Sequence, residues 1–271
     1  MKRMFAILIV LLGLSIRGTG VCAQVTDAAD AEPEDYKLLR EIISTEFSGQ
    51  VPHEWGEAVS GVRTRLRTDD KIVAIGVDAC DLMAKGDDAK LIKFLAAENI
   101  PATLFLCGKW VDKYPAVLKK LAVNPLFEIA NQGVARKACS VNGQAAAGTP
   151  GTTGVEDVFD EIEMNARKIE AVTGTLPHYY HAGAGYYDEI AVRIVKALGY
   201  EALGSSVLLP DGKAAGREQV LEAFLDPAPG AIAIFGGVSL QSTFVEGAIE
   251  SVRGLRAKGY KFVKVSDFPP G

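Results

Sequence analysis

Apolar residues along this chain follow two periods, and the two alternate. Short runs in which nearly every residue is apolar predict buried strands at Ile72–Val77, Ala102–Leu106, Phe127–Ala130, Tyr179–Ala182, Ala202–Val207, Ile232–Phe235 and Phe262–Val265. Between them apolar residues recur every three or four positions. This spacing predicts a helix opening at Asp87/Asp88 with Leu91, Ile92 and Leu95, and helices over Lys113–Val123, Val155–Val172, Tyr187–Leu198, Gln219–Leu225 and Thr243–Ala257. A further helix, Asp35–Phe47, precedes the first strand and carries Leu38, Leu39, Ile42 and Ile43. Gly174, Gly199 and Gly259 stand just past three of the helices, where a left-handed residue ends the turn. Seven apolar strands alternating with helices predict an α/β fold with a helix-covered parallel sheet, either closed as a (β/α) barrel or open and doubly wound. The Gly/Ala/Thr-rich stretch 138–154 is too long for a simple connector and reads as a lid, a binding loop or a disordered segment.

The N-terminus departs from this pattern. Lys2 and Arg3 precede an uncharged, mostly apolar run from Phe5 to Ile16, shorter than a membrane span but of signal-peptide length. Val21 and Ala23 are the small residues expected before a cut after Ala23, whereas Thr19-Gly20-Val21 lacks the small residue a lipoprotein cut requires before Cys22. The expected organisation is a signal peptide over 1–23, a flexible stub over 24–34, a helical lead-in over 35–70 and a barrel over 71–268, in a protein exported to a periplasm or beyond. Without the leader, 26 basic residues face 34 acidic ones, a formal charge of −8. That balance excludes a phosphate-neutralising surface and hence nucleic acid. No second long apolar segment supports an integral membrane protein.

Sites in parallel α/β folds form at the carboxyl ends of the strands. Here those positions hold Asp78, Cys80 and Asp81, then Cys107, Gly108, Lys109 and Trp110, then Asn131, Gln132 and Arg136, then His181, Ser205, Ser206, Gly236 and Gly237. No GxGxxG follows the first strand, which disfavours a dinucleotide site, and no GxSxG supports a serine nucleophile beside His181 and Asp78. The set is poor in metal ligands. The chain has three histidines, His53, His178 and His181, and the last two point to opposite faces of one strand.

The segment Ile72-Val-Ala-Ile-Gly-Val-Asp78-Ala-Cys80 resembles the first motif of the polysaccharide deacetylases, the family of chitin and peptidoglycan deacetylases, and in particular an exported branch with Asp-Ala-Cys. Ile100-Pro-Ala-Thr-Leu-Phe-Leu106 with Trp110, Asn124–Ile129, Ser140–Gly143, Gly148-Thr149, Glu161-Ile-Glu with Asn165, and Tyr186-Tyr-Asp188-Glu extend the resemblance across roughly residues 55–265. It implies a distorted (β/α)7 barrel and removal of acetyl groups from N-acetylated sugars by a divalent metal that activates water. It also implies that Asp78 is the base. The two histidines of the second motif are replaced by Gln132 and Arg136, the arginine that orients the base by His181, and the late acid histidine by Gly236. A neutral amide and a permanent cation do not hold a divalent ion.

Two functions follow as expectations. One is an exported homologue without standard metal-dependent activity and with no cofactor, binding cell-envelope polysaccharide or peptidoglycan through Asn131, Trp110 and Tyr186. The other is an active carbohydrate deacetylase, using zinc, with a rearranged site of Asp78, Asp81 and His181. Trp110, Tyr179, Tyr180, Tyr186 and Tyr187 read either as sugar-stacking faces or as barrel packing. The cysteines suggest a Cys80–Cys139 disulfide tying the long loop to the barrel mouth, with Cys80–Cys107 on adjacent strands as the rival.

Overall fold

The computed structural model of the chain describes residues 32–79, 88–207, 215–236 and 242–268. The expected leader, nearly all of the stub, and Cys80, Asp81 and Gly237 lie outside them. In chain order the elements are α1 (Glu34–Phe47), β1 (Trp55–Gly56), β2 (Ile72–Asp78), α2 (Asp88–Ala97), β3 (Ala102–Leu106), α3 (Gly108–Lys113), α4 (Pro115–Ala122), β4 (Phe127–Asn131), α5 (Val155–Thr173), β5 (Tyr179–Tyr180), β6 (Tyr187–Asp188), α6 (Glu189–Ala197), β7 (Glu201–Ala202), α7 (Arg217–Ala223), β8 (Ala231–Phe235), α8 (Ser242–Ala257) and β9 (Lys261–Val263).

The sheet runs β7-β5-β4-β3-β2-β8 with every neighbour parallel, and β9 pairs with the start of β2. It curls into a half-barrel of the expected type. Because its strands are covered on both faces, β2, β3 and β8 are buried along their whole length, which is why they read as unbroken apolar runs. Alternation sorts their side chains. Ile72, Ala74, Phe105, Ala130, Tyr179, Leu203, Ile232 and Ile234 fill one cluster inside the curl. Val73, Ile75, Val77, Leu104, Leu106, Ala233 and Phe235 face outward to α2, α7 and α8. A third cluster joins α1, α5 and α6.

Among the described residues, the two ends of the sheet meet directly only past β7, where Ser206 N donates to Ile232 O at 2.9 Å. An extended strip, residues 63–66, lies between them: Arg63 bridges to Leu203 beyond β7, and Arg65 to Ala231 in β8. Arg63 N donates to Ala202 O at 2.9 Å and Leu66 N to Gly230 O at 2.7 Å.

Several expectations change in detail. The helix expected over Lys113–Val123 is α4, and an unexpected short helix, α3, precedes it; the two are separate because Tyr114 leaves helical geometry (φ −129°, ψ 46°) and Pro115 begins α4 at a position needing no N–H. The segment Tyr187–Leu198 begins as a short strand, β6, antiparallel to β1, and Asp188 then caps α6 by accepting from Ala191 N at 2.7 Å. In α1 the buried side is Tyr36, Ile43 and Phe47, while Leu38 and Ile42 are 59% and 51% exposed. Gly174, Gly199 and Gly259 all take the left-handed conformation (φ 76–85°).

The stretch 138–154 is knitted to the body. Ala138 pairs with Gly151, Cys139 with Tyr187, and the buried Thr152 hydroxyl donates to Ser140 O at 2.6 Å. Among the described residues no helix is long and apolar enough to cross a membrane.

Candidate functional site

The alternation that fills the half-barrel continues upward past its apolar layer. Counting by two from Ile72-Ala74 reaches Gly76 and Asp78; from Ile232-Ile234, Gly236; from Tyr179, His181; and from Ala130, Gln132. Gly76 is small because a side chain there would meet Phe105 and Ile234 at 3.0 and 2.9 Å. These four positions, Asp78, Gln132, His181 and Gly236, form a polar layer above an apolar plug.

The sheet's curl brings strand ends together that are far apart in strand order. His181 Nε2 lies 3.9 Å from Asp78 Oδ1, both groups buried. His181 Nδ1 is 2.8 Å from the carbonyl oxygen of Leu203. A carbonyl only accepts, so Nδ1 carries the proton and Nε2 is the nitrogen presented to Asp78. The ring also packs on Phe105, centroids 5.1 Å apart. Asp78 Oδ1 and both amide atoms of the fully buried Gln132 have no hydrogen-bond partner among the described residues. Buried polar atoms left without partners are costly unless something else satisfies them.

The loop after β4 is held from α5. Glu161 accepts from Ala135 N at 3.0 Å and Lys137 N at 3.0 Å, and a side chain on Gly133 would overlap its carboxylate at 2.2 Å. Burial pushes the Glu161 carboxyl up to about 7, against the opposing N–H bonds. Asn165 donates to Leu106 O at 2.8 Å and to Asn131 Oδ1 at 2.7 Å, tying α5 to the ends of β3 and β4. Sequence reasoning assigned Glu161 and Asn165 no role at the site. The available signal was position: they follow Val158 by three and seven residues, polar side chains on an apolar stripe.

Three assignments need correction. Asn131 has its amide engaged within the protein rather than offered to a glycan: it accepts from Gly133 N and Asn165 and donates to Ile162 O at 2.8 Å. Trp110 is 2% exposed and packs in the outer apolar cluster. Tyr179, Tyr180 and Tyr187 are likewise buried, and only Tyr186 of the five aromatics is half-buried at the rim. Cys139 does not form the expected disulfide. It is a free, fully buried thiol among Tyr180, Tyr187 and α5, and burial drives its ionisation well above the usual range. Cys107 is the disulfide-bonded residue, and its partner lies outside the described residues.

His178 is exposed and His181 buried, as strand alternation requires. Ser205 is occupied by the backbone, donating to Val207 O at 2.7 Å, and makes no triad with His181. Of the inward layer only Asp78 and His181 are metal-binding types, and Gln132 and Gly236 add a neutral amide and no side chain. Among the described residues no three His, Cys, Asp or Glu side chains come together to hold one.

A sequence model described as polysaccharide deacetylase matches residues 65–203, just over half of the chain. No match is found among the curated proteins. Similar solved structures include Bacillus subtilis PdaA, a family 4 carbohydrate esterase, at 18% identity over 84% of this chain and 87% of that one, with a TM-score of 0.60. A family 4 carbohydrate esterase from Bacillus anthracis aligns at 21% identity, over 80% of this chain and 96% of that one, with a TM-score of 0.60. BA3943, a CE4 family pseudoenzyme from Bacillus anthracis, aligns at 19% identity over 76% and 67%, also with a TM-score of 0.60. At these identities the likeness is one of fold, and the fold hosts both carbohydrate esterases and a pseudoenzyme.

Proposed function

Because this chain belongs to the polysaccharide deacetylase family, we propose that it is an exported member that binds an N-acetylated cell-envelope glycan without metal-dependent deacetylation. The reading rests on the inward layer of the half-barrel. Asp78 Oδ1 offers an acceptor and Gln132 both a donor and an acceptor, all buried and without partners. An acetamido group carries the complementary N–H and C=O: its C=O would accept from Gln132 Nε2 and its N–H would donate to one of the two free acceptors, relieving two of the three unsatisfied atoms. The same layer lacks the means for the chemical step. Without an ion, water stays near its bulk pKa and is a poor nucleophile, and Gly236 has no proton to give a leaving amine. The leader-like N-terminus supports export to the envelope, where such glycans lie.

One observation favours a second reading, an active deacetylase with a rearranged site. His181 presents Nε2 to Asp78 at 3.9 Å, a base beside a carboxylate; the reading also calls on Asp81, which lies outside the described residues. A single set of measurements separates the two. Calorimetry with chitotetraose should show binding, zinc titration should show no stoichiometric site, and acetate release should be absent. Acetate release abolished by a chelator would overturn the first reading; release insensitive to chelator and lost in Asp78→Asn would establish the second.

A further inference from the structure

The turn that follows His181 joins the candidate pocket to a pair of aromatic rings on the rim. A side chain on Gly185 would lie 3.4 Å from His181 Cε1 on one side and 4.0 Å from Glu57 Cγ on the other, so residues 55–57 and His181 flank the same turn. Next to that turn, Trp55 and Tyr186 meet with ring centroids 5.6 Å apart and planes tilted by 50°. Both rings are half-buried. Neither belongs to any of the three hydrophobic clusters, in contrast to Trp110, Tyr180 and Tyr187, which are packed inside them. Half-buried aromatic rings outside the core leave ring surface free for contact.

The backbone under the rings is fixed. Trp55 lies in β1 opposite Asp188 of β6, and Asp188 is itself held as the cap of α6. Tyr186 accepts through its carbonyl from Cys139 N at 2.9 Å, where the long loop crosses. Rings set on paired backbone lose little freedom when they bind.

We propose that Trp55 and Tyr186 form a sugar-stacking subsite on the rim, holding a pyranose of the glycan chain next to the residue in the Asp78–His181 pocket. The C–H faces of a pyranose carry partial positive charge and suit the negative faces of the rings. Adjacency to the pocket across Gly185 makes the occupant a neighbouring residue of the same chain, so a single sugar gains nothing from the subsite. The proposal rests on the glycan-binding reading above.

The chain has two tryptophans, and Trp110 is buried away from the rim, so a change in emission on adding a glycan is expected to come from Trp55. Chitotetraose should change the emission of the wild type and of Trp110→Phe, and leave that of Trp55→Phe unchanged. By calorimetry, Trp55→Ala and Tyr186→Ala should each bind the tetramer about tenfold more weakly. Binding of monomeric N-acetylglucosamine should be unaltered. Trp55→Phe, which keeps an aromatic face, should retain most of the tetramer affinity. Tetramer binding by Trp55→Ala equal to wild type, or an emission change that persists in Trp55→Phe and vanishes in Trp110→Phe, would overturn the subsite while leaving glycan binding intact. A wild type that binds neither saccharide would overturn both.

Discussion

The carboxylate of Asp78 occupies the space that a side chain at position 236 would need: a Cβ on Gly236 would lie 2.2 Å from Asp78 Oδ2 and 2.9 Å from Asp78 Cβ. The glycine is therefore a steric condition for the pose of Asp78. Gly236→Ala should force Asp78 off its position beside His181 and destabilise the fold by about 1–3 kcal/mol. In an Asp78→Ala background the same change should cost less, by about 1 kcal/mol or more, in a double-mutant cycle read by urea unfolding. Equal costs in both backgrounds would refute the contact.

Glu161 makes stability depend on pH in a direction opposite to most paired carboxylates. Burial raises its carboxyl from 4.5 to about 7 in the folded protein, while Lys137 and the N–H groups of Ala135 and Lys137 oppose the rise. Between those two values the folded state binds the proton and the unfolded state does not. Stability from this group is thus greatest below the unfolded value and is lost as pH rises to about 7. Relative to Glu161→Gln, the wild type should lose about 1–3 kcal/mol between pH 4.5 and pH 7, measured by urea unfolding across that window. A flat difference would show that the carboxylate stays ionised.

Gln132→His with Arg136→His should create zinc affinity. Arg136 already has a left-handed backbone (φ 59°), a conformation histidine tolerates better than most residues. Two imidazoles with Asp78 supply the three ligands a zinc site needs. Acetate release should not appear with the metal, since Gly236 still offers no acid. Isothermal titration with zinc on both proteins is the measurement, and stoichiometric zinc in the wild type would overturn the expectation.

The thiols should separate by depth and pairing. In native protein Cys139 should resist alkylation. After unfolding without reductant its peptide should be labelled, whereas the Cys107 peptide should be labelled only after reduction. Mass spectrometry of the digests decides this, and Cys139 in a disulfide would contradict the structure.

The fold was legible where burial on both faces leaves unbroken apolar runs, as in Ile72–Asp78 and Ala102–Leu106. The site was legible in part for the same reason: counting by two from core residues leads to Asp78, His181 and Gly236. What one sequence could not show is how deep a polar or aromatic side chain sits. Asn131 and Trp110 stand at strand ends as Asp78 and His181 do, yet hydrogen bonds within the protein absorb the first and packing the second. Cys139 follows the same logic. Trp55 lay hidden because its partner, Tyr186, is distant in sequence and the β1–β6 pair is only two residues long. Strands so short carry no period.

The strip at residues 63–66 also sets an order of events. It precedes the first strand of the sheet in sequence, yet its partners, Leu203 and Ala231, come from the far end of the chain. During synthesis it emerges first and waits longest, because the two edges it joins do not both exist until residue 231 has been made. Contacts this remote in sequence form slowly, so shutting the seam is a late step of folding. In pulse-labelling hydrogen exchange, the amides of Arg63 and Leu66 should gain protection after those of Val77 and Leu104, and until then both edges of the sheet stand open to strands from other chains.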